Sequence, residues 1–223
     1  LLQCDILMHY RLIPNSFHFE NLSLFNTSYR GLHMKNNTYE NDVRILGGKF
    51  KGKLLPVLDV EGLRPTPSRV RETIFSWIKD SLGNAKVLDL FAGSGALGLE
   101  AYSRGAKDVT LVELDKDNSS NLKVIAKSMS YDEIHVINDD ALHFLDNVSS
   151  TFNIVFIDPP YKLDIYEKVL EKLLDKNLID DDSLIYVEMR NGSNKIVPGY
   201  EIIREENAGQ SKYSLWTKSK LLF

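Results

Sequence analysis

A chain of 223 residues with 43% hydrophobic and 26% charged residues suits one globular α/β domain with room for a small appendage. No apolar run reaches the roughly 18 residues that span a bilayer, so no membrane helix is expected. The single cysteine, Cys4, excludes an internal disulfide and a cysteine-built metal site and fits a cytoplasmic protein. The five His residues lack ligand spacing, and no metal is expected.

Taken in chain order, residues 1–43 differ from the rest. They are rich in Asn, Ser and His, lack sustained periodicity and carry no secretory signal pattern. We expect an upstream extension, non-native or disordered, with Met34 before KNNTYEND as a natural start. The alternative is a short accessory element packed on the domain. RILGGKFKGKLLPVL (44–58) alternates around Gly47, Gly48 and Gly52 and predicts a small β-hairpin. GLRPTPSR (62–69) reads as a rigid turn, in which Pro65 and Pro67 restrict their neighbours and Thr66 and Ser68 can cap. Residues 44–69 therefore form a basic hairpin and Pro-rich turn, ahead of a main domain at 70–223.

VRETIFSWIKDSL (70–82) predicts an amphipathic helix ended by Gly83. Strands are predicted at 86–91, 109–114, 134–138, 152–158 and 183–189, with helices at about 96–104, 117–129, 140–147 and 164–176. That alternation implies a parallel sheet with right-handed crossovers and helices on both faces. Two last strands, 200–206 and 212–218, are too close for a crossover and should form an antiparallel hairpin at the sheet edge.

The net charge of −4 conceals an asymmetry. From Arg44 to Arg71 the chain carries Arg44, Lys49, Lys51, Lys53, Arg64, Arg69 and Arg71 against only Asp59 and Glu61. Screening confines electrostatics to about 8–10 Å, so a local basic surface on an acidic body can still meet a phosphate backbone. The alternative is a solvated basic hairpin. Arg69 and Arg71 can instead be structural, with Arg71 pairing Glu72 or a sheet-edge carbonyl.

Two motifs carry the chemistry. In KVLDLFAGSGALGLEA (86–101), a strand runs into a glycine-rich turn and a helix. Its Gly93, Gly95 and Gly98 match G-x-G-x-x-G, which on spacing alone is also a dinucleotide fingerprint. Charge separates the readings. Asp89, Glu113, Asp140 and Asp158 converge at the carboxyl edge of the sheet, and the glycine turn itself holds no Lys or Arg. Such a crevice repels pyrophosphate and suits S-adenosylmethionine, which carries a sulfonium and an ammonium but no phosphate.

The expected cofactor residues are Asp89, Phe91, Gly93, Gly95, Glu113 and Asp140. Gly93 and Gly95 let the backbone approach. Asp89 can hold the amino group directly or through water, and Glu113 can accept from the ribose hydroxyls. Asp140 can accept from the adenine amino group or cap the next helix, two readings of equal weight. Asp115 and Asp117 read as caps and early-turn charges.

The second motif is FNIVFIDPPY (152–161), an apolar strand delivering Asp158, Pro159, Pro160 and Tyr161 to the same edge. DPPY with DLFAGSGALGLEA resembles class I S-adenosylmethionine-dependent methyltransferases acting on exocyclic amino groups of bases. RILGGKFKGKLLPV with GLRPTPSRVRETIFSWI and GQSKYSLW resembles the RsmD family, from about Arg44 to the end. The resemblance implies a Rossmann-like, seven-stranded α/β methyltransferase sheet with an antiparallel C-terminal hairpin and a small N-terminal β-hairpin element. It also implies transfer to N2 of a single guanine in small-subunit rRNA, of the 16S guanine-966 type. Ribosomal proteins would be present in a partly or fully assembled particle. A monomer is expected.

Asp158 and the Pro159 carbonyl can accept the two amino hydrogens, Pro160 stiffens the loop, and Tyr161 can stack on the base. Lys49, Lys51, Lys53, Arg64, Arg69 and Arg71 are the candidate RNA contacts. Other amino-group targets remain open, namely adenine N6 of DNA or RNA and protein glutamine. So do a catalytically inactive RNA-binding assembly factor and an oxidoreductase.

Overall fold

The computed structural model describes residues 39–58, 65–130, 132–160, 163, 165–192 and 197–220. They belong to the second of two units into which the chain divides, Thr38–Phe223. Expectations for residues 1–38, Arg64 and Tyr161 lie outside the described residues.

Strands β1 (Tyr39–Arg44) and β2 (Leu54–Leu58) form an antiparallel ribbon in which Val43 pairs with Leu55 and Arg44 with Leu54. Most of β1 falls within 1–43, ahead of the expected boundary. Tyr39–Asp42 is polar and shows no alternation with an apolar face, which hid the strand. Helix α1 spans Ser68–Trp77 and passes into a 3₁₀ turn at Lys79–Ser81. The predicted helix at 70–82 thus changes winding near its end. Ile78 and Leu82 stay buried through the change, and periodicity alone does not report it.

Next come β3 (Lys86–Asp89), α2 (Ala96–Ser103), β4 (Asp108–Glu113), α3 (Lys116–Met129), β5 (Ile134–Asn138), α4 (Ala141–Asn147), β6 (Phe152–Ile157), α5 (Tyr166–Asp175), β7 (Ile179–Arg190), β8 (Tyr200–Ala208) and β9 (Ser211–Lys218). The seven-stranded sheet has the order β5-β4-β3-β6-β7-β9-β8. Its first five strands are parallel, whereas β9 is antiparallel to both β7 and β8. The last two strands form the predicted hairpin, closed at Gly209 with φ 61°. β7 starts earlier than predicted because Ile179 pairs with Phe152 ahead of a register irregularity.

The period of two sorts the core. Val87, Val109, Leu111, Ile154, Phe156 and Tyr186 join a buried cluster with residues of α1, α2 and α3. Their neighbours Leu88, Val112, Val155, Ile157, Ile185 and Val187 join a second cluster with α4 and α5. Three helices therefore cover one face and two the other, as parallel strands buried on both sides require. The β1–β2 ribbon adds Val43, Ile45, Leu55 and Val57 to the first cluster.

Candidate active site

In this strand order, β4, β3, β6 and β7 lie side by side and bring four carboxylates to one edge. Glu113 ends β4 and Asp89 ends β3. Ile157 of β6 pairs with Val187 of β7, which carries Asp158 alongside Glu188. Ligands bind parallel sheets at this carboxyl edge, next to the point where strand order reverses.

Residues 90–95 connect β3 to α2. Gly95 occupies the N-cap of α2 at φ 74°, a left-handed conformation that a Cβ disfavours. At Gly98, in the first turn, a Cβ would lie 2.2 Å from Leu111 Cδ2, so glycine permits helix and strand to touch. Asp89 is 2% exposed, and its Oδ2 accepts the Gly98 N–H at 2.9 Å. Burial raises its pKa to about 7; the Gly98 N–H opposes that rise and Glu113 adds to it. In this position Asp89 holds the turn from beneath.

Glu113 accepts the Gly93 N–H on Oε2 and the Asp115 N–H on Oε1, each at 2.8 Å. Burial also pushes its pKa up, against those two N–H groups. Each carboxylate oxygen has two lone pairs, so Glu113 keeps acceptor capacity for hydroxyls. Asn118 escaped sequence reasoning: its Nδ2 donates to the Gly93 carbonyl at 2.6 Å, clamping the turn from α3. Asp115 is the N-cap of α3 and accepts from the Asn118 N–H, as expected. Asp140 is the N-cap of α4, accepting from the N–H groups of Leu142 and His143. Of its two readings, the structure displays the cap. Phe91 is half-buried against the second core cluster.

Asp158 follows β6 and accepts a hydrogen bond on Oδ2 from the Thr66 hydroxyl at 3.1 Å. The sequence offers Thr66 and Ser68 as residues that can cap. Instead Pro67 takes the N-cap position without a side-chain bond, and Thr66 reaches the sheet edge. Burial raises the Asp158 pKa, Glu188 raises it further and the Thr66 hydroxyl lowers it. Glu188, also missed, accepts from the Tyr186 hydroxyl at 2.8 Å. Pro159 is buried; exposed Pro160 accepts the Leu163 N–H at 2.8 Å, closing the loop.

The basic residues divide. Lys49 and Lys51 are exposed in the β1–β2 loop, Lys53 is half-exposed and Arg69 is exposed on α1. Arg71 is a correction, because it is 2% exposed and cannot reach a phosphate backbone. Its guanidinium pairs with Glu100 Oε2 at 3.2 Å and donates to the Arg44 and Thr66 carbonyls. The sheet-edge carbonyl alternative is the one realised, and the acid is Glu100 rather than Glu72.

Glu100 itself is fully buried in α2. It also accepts from Arg104 and from the N–H groups of Leu46 and Gly47. The basic loop is pinned further by Ser103, whose carbonyl accepts the Lys49 N–H and whose hydroxyl joins Phe50 and Gly47.

A seven-stranded sheet with one antiparallel insertion, bearing a glycine turn flanked by carboxylates at its carboxyl edge, defines a class I methyltransferase fold. A structure from Streptococcus mutans, assigned to the S-adenosylmethionine-dependent methyltransferases, covers 83% of this chain and 57% of its own at TM-score 0.62. At 15% identity, that likeness shows the fold alone. The family model described as conserved hypothetical protein 95 matches residues 43–217. Escherichia coli ribosomal RNA small subunit methyltransferase D is 40% identical over 185 residues, covering 82% of this chain and 93% of that protein. A solved Escherichia coli structure is 39% identical at TM-score 0.74, covering 80% of this chain and 98% of that one. The chain belongs to this family, the RsmD family.

Proposed function

We propose that the protein transfers a methyl group from S-adenosylmethionine to the exocyclic N2 of one guanine in small-subunit ribosomal RNA. The observation that carries the reading is Asp158, set beside the glycine turn with its Oδ2 held by Thr66. The relatives' name, ribosomal RNA small subunit methyltransferase, supplies the substrate class.

The residues fit the cofactor's chemistry. Among the described residues, Asp89, Glu113, Asp158 and Glu188 gather at the edge, and the turn at 90–95 holds no cation. A cluster of carboxylates at one edge favours a ligand bearing positive charge. When bound, S-adenosylmethionine supplies a methyl group made electrophilic by its sulfonium.

An exocyclic amino nitrogen is a weak nucleophile because its lone pair is delocalised into the ring. Asp158 and the Pro159 carbonyl accept its two hydrogens and aim it at the methyl group. The nitrogen–carbon bond forms as the sulfur–carbon bond breaks, and positive charge grows on nitrogen. Acceptors placed there stabilise the transition state more than the ground state. One proton then leaves to Asp158 or to water. Lys49, Lys51, Lys53 and Arg69 grip phosphates that flank the target.

Labelled methyl transfer to undermethylated small subunits and, separately, to their naked RNA tests the reading. N2-methylguanosine in the digest is expected; another methylated nucleoside, or no labelled RNA despite cofactor binding, overturns the substrate assignment. Charge reversal at Lys51 and Lys53 should flatten the slope of log affinity against log salt by about one unit per lost phosphate contact. An unchanged slope removes these two lysines from the interface.

A further inference from the structure

We infer that Thr66 is a positioning residue for the Asp158 carboxylate, fixed from behind by the buried Arg71–Glu100 pair. This deepens the functional reading and rests on Asp158 as the acceptor for the target amino group. Thr66 lies 92 residues from Asp158 in the chain, yet its hydroxyl donates to Asp158 Oδ2 at 3.1 Å. It is 8% exposed and sits between Pro65 and Pro67. A residue preceding proline is confined to extended backbone, so Pro67 restricts Thr66 before any side-chain contact forms. The Thr66 carbonyl accepts from Arg71 Nε at 3.2 Å. Arg71 is in turn held by Glu100 Oε2 at 3.2 Å and by the Arg44 carbonyl at 3.1 Å. A line of hydrogen bonds thus runs from the middle of α2, through a guanidinium and one peptide unit, to the end of β6.

The line explains why a buried arginine occupies a basic segment without facing RNA. It also addresses a problem at Asp158. A carboxylate's terminal torsion is broad when unrestrained, and only the ionised form accepts on both oxygens. The groups that face Asp158 are Glu188 and Tyr186 on β7, Asp89 on β3 and Thr66. The Tyr186 hydroxyl is committed to Glu188, and the two carboxylates oppose ionisation of Asp158. Thr66 donates a hydrogen bond to the charged form. It therefore favours that form and sets its rotation while leaving lone pairs for the amino hydrogens.

Thr66→Val keeps the shape and removes the donor, whereas Thr66→Ser keeps the donor. The first readout is the titration of the Asp158 carboxyl carbon by NMR in labelled protein without ligands, assigned by Asp158→Asn. The second is the pH dependence of turnover on undermethylated small subunits.

Thr66→Val should raise the carboxyl midpoint by about one pH unit, the scale of one hydrogen bond to a charged group. Its turnover should fall about tenfold near pH 6.5, with the deficit closing towards pH 9. Thr66→Ser should stay within about twofold of the parent at every pH. Thr66→Ala replaces valine should valine disturb packing. An unmoved midpoint in the valine or alanine variant, or a serine variant as impaired as valine, overturns the inference. If the parent labels no RNA, the functional reading fails, while the carboxyl titration still decides the role of Thr66.

Discussion

Asp158→Ala lowers methyl transfer by about two to four orders of magnitude, the range seen when one transition-state acceptor, donor or general base is removed. The cofactor turn does not depend on it. Gly93 is held by Glu113 and Asn118, and Gly98 by Asp89, so cofactor affinity stays within a few-fold of the parent. The fold should not suffer either. Asp158 is half-buried with its carboxylate near Glu188 and Asp89, and desolvation and that repulsion raise its pKa. Removing it relieves both, so the melting temperature is expected to hold or rise, a trade of stability for activity common at reacting centres. Single-turnover kinetics, a calorimetric cofactor titration and a melting curve on one preparation check all three claims. Near-normal turnover would mean that the amino group is held by other residues.

Glu100→Ala has the largest expected effect on stability. Glu100 receives two guanidinium groups and two backbone N–H groups inside the first core cluster. Deleting it leaves Arg71 buried without its anion, a change that costs about 3–5 kcal/mol in comparable cases. Small domains have only about 5–15 kcal/mol in total. The loss should appear as a lower urea midpoint with little change in slope. Arg71→Met should cost less, because Glu100 keeps Arg104 and both backbone donors and the long apolar chain fills the space. A Glu100→Ala protein within 1 kcal/mol of the parent, on the order of a surface ion pair, would show that the network is dispensable to folding.

What could be read in advance followed local period and local chemistry. The strands from Lys86 to Ile157 and the helices between them appear because core residues recur every two or every 3.6 positions on surfaces buried from both sides. Asp115 showed itself as a cap because its partner lies three residues away. The site's supporting contacts are different in kind. Arg71 meets Glu100 across 29 residues and Thr66 meets Asp158 across 92, through the docking of a ribbon and a turn whose placement no periodicity encodes. Thr66 looked like a cap because threonine before a helix usually is one. Arg71 looked like a phosphate ligand because charge counting cannot see burial. At Asp140 either use requires a carboxylate at a helix start, and only geometry displays the capping bonds.

Helix α2 has eight residues, about 12 Å of rise, and both ends are committed. Its first turn closes the glycine turn through Gly98, and its last carries Glu100 and Ser103 into the basic loop. Each added residue would swing everything beyond it by about 100° around the helix axis. A single insertion would therefore point Glu100 away from Arg71 while leaving the glycine turn intact. The segment behaves as a key cut to one length, with seven of its eight residues buried as well.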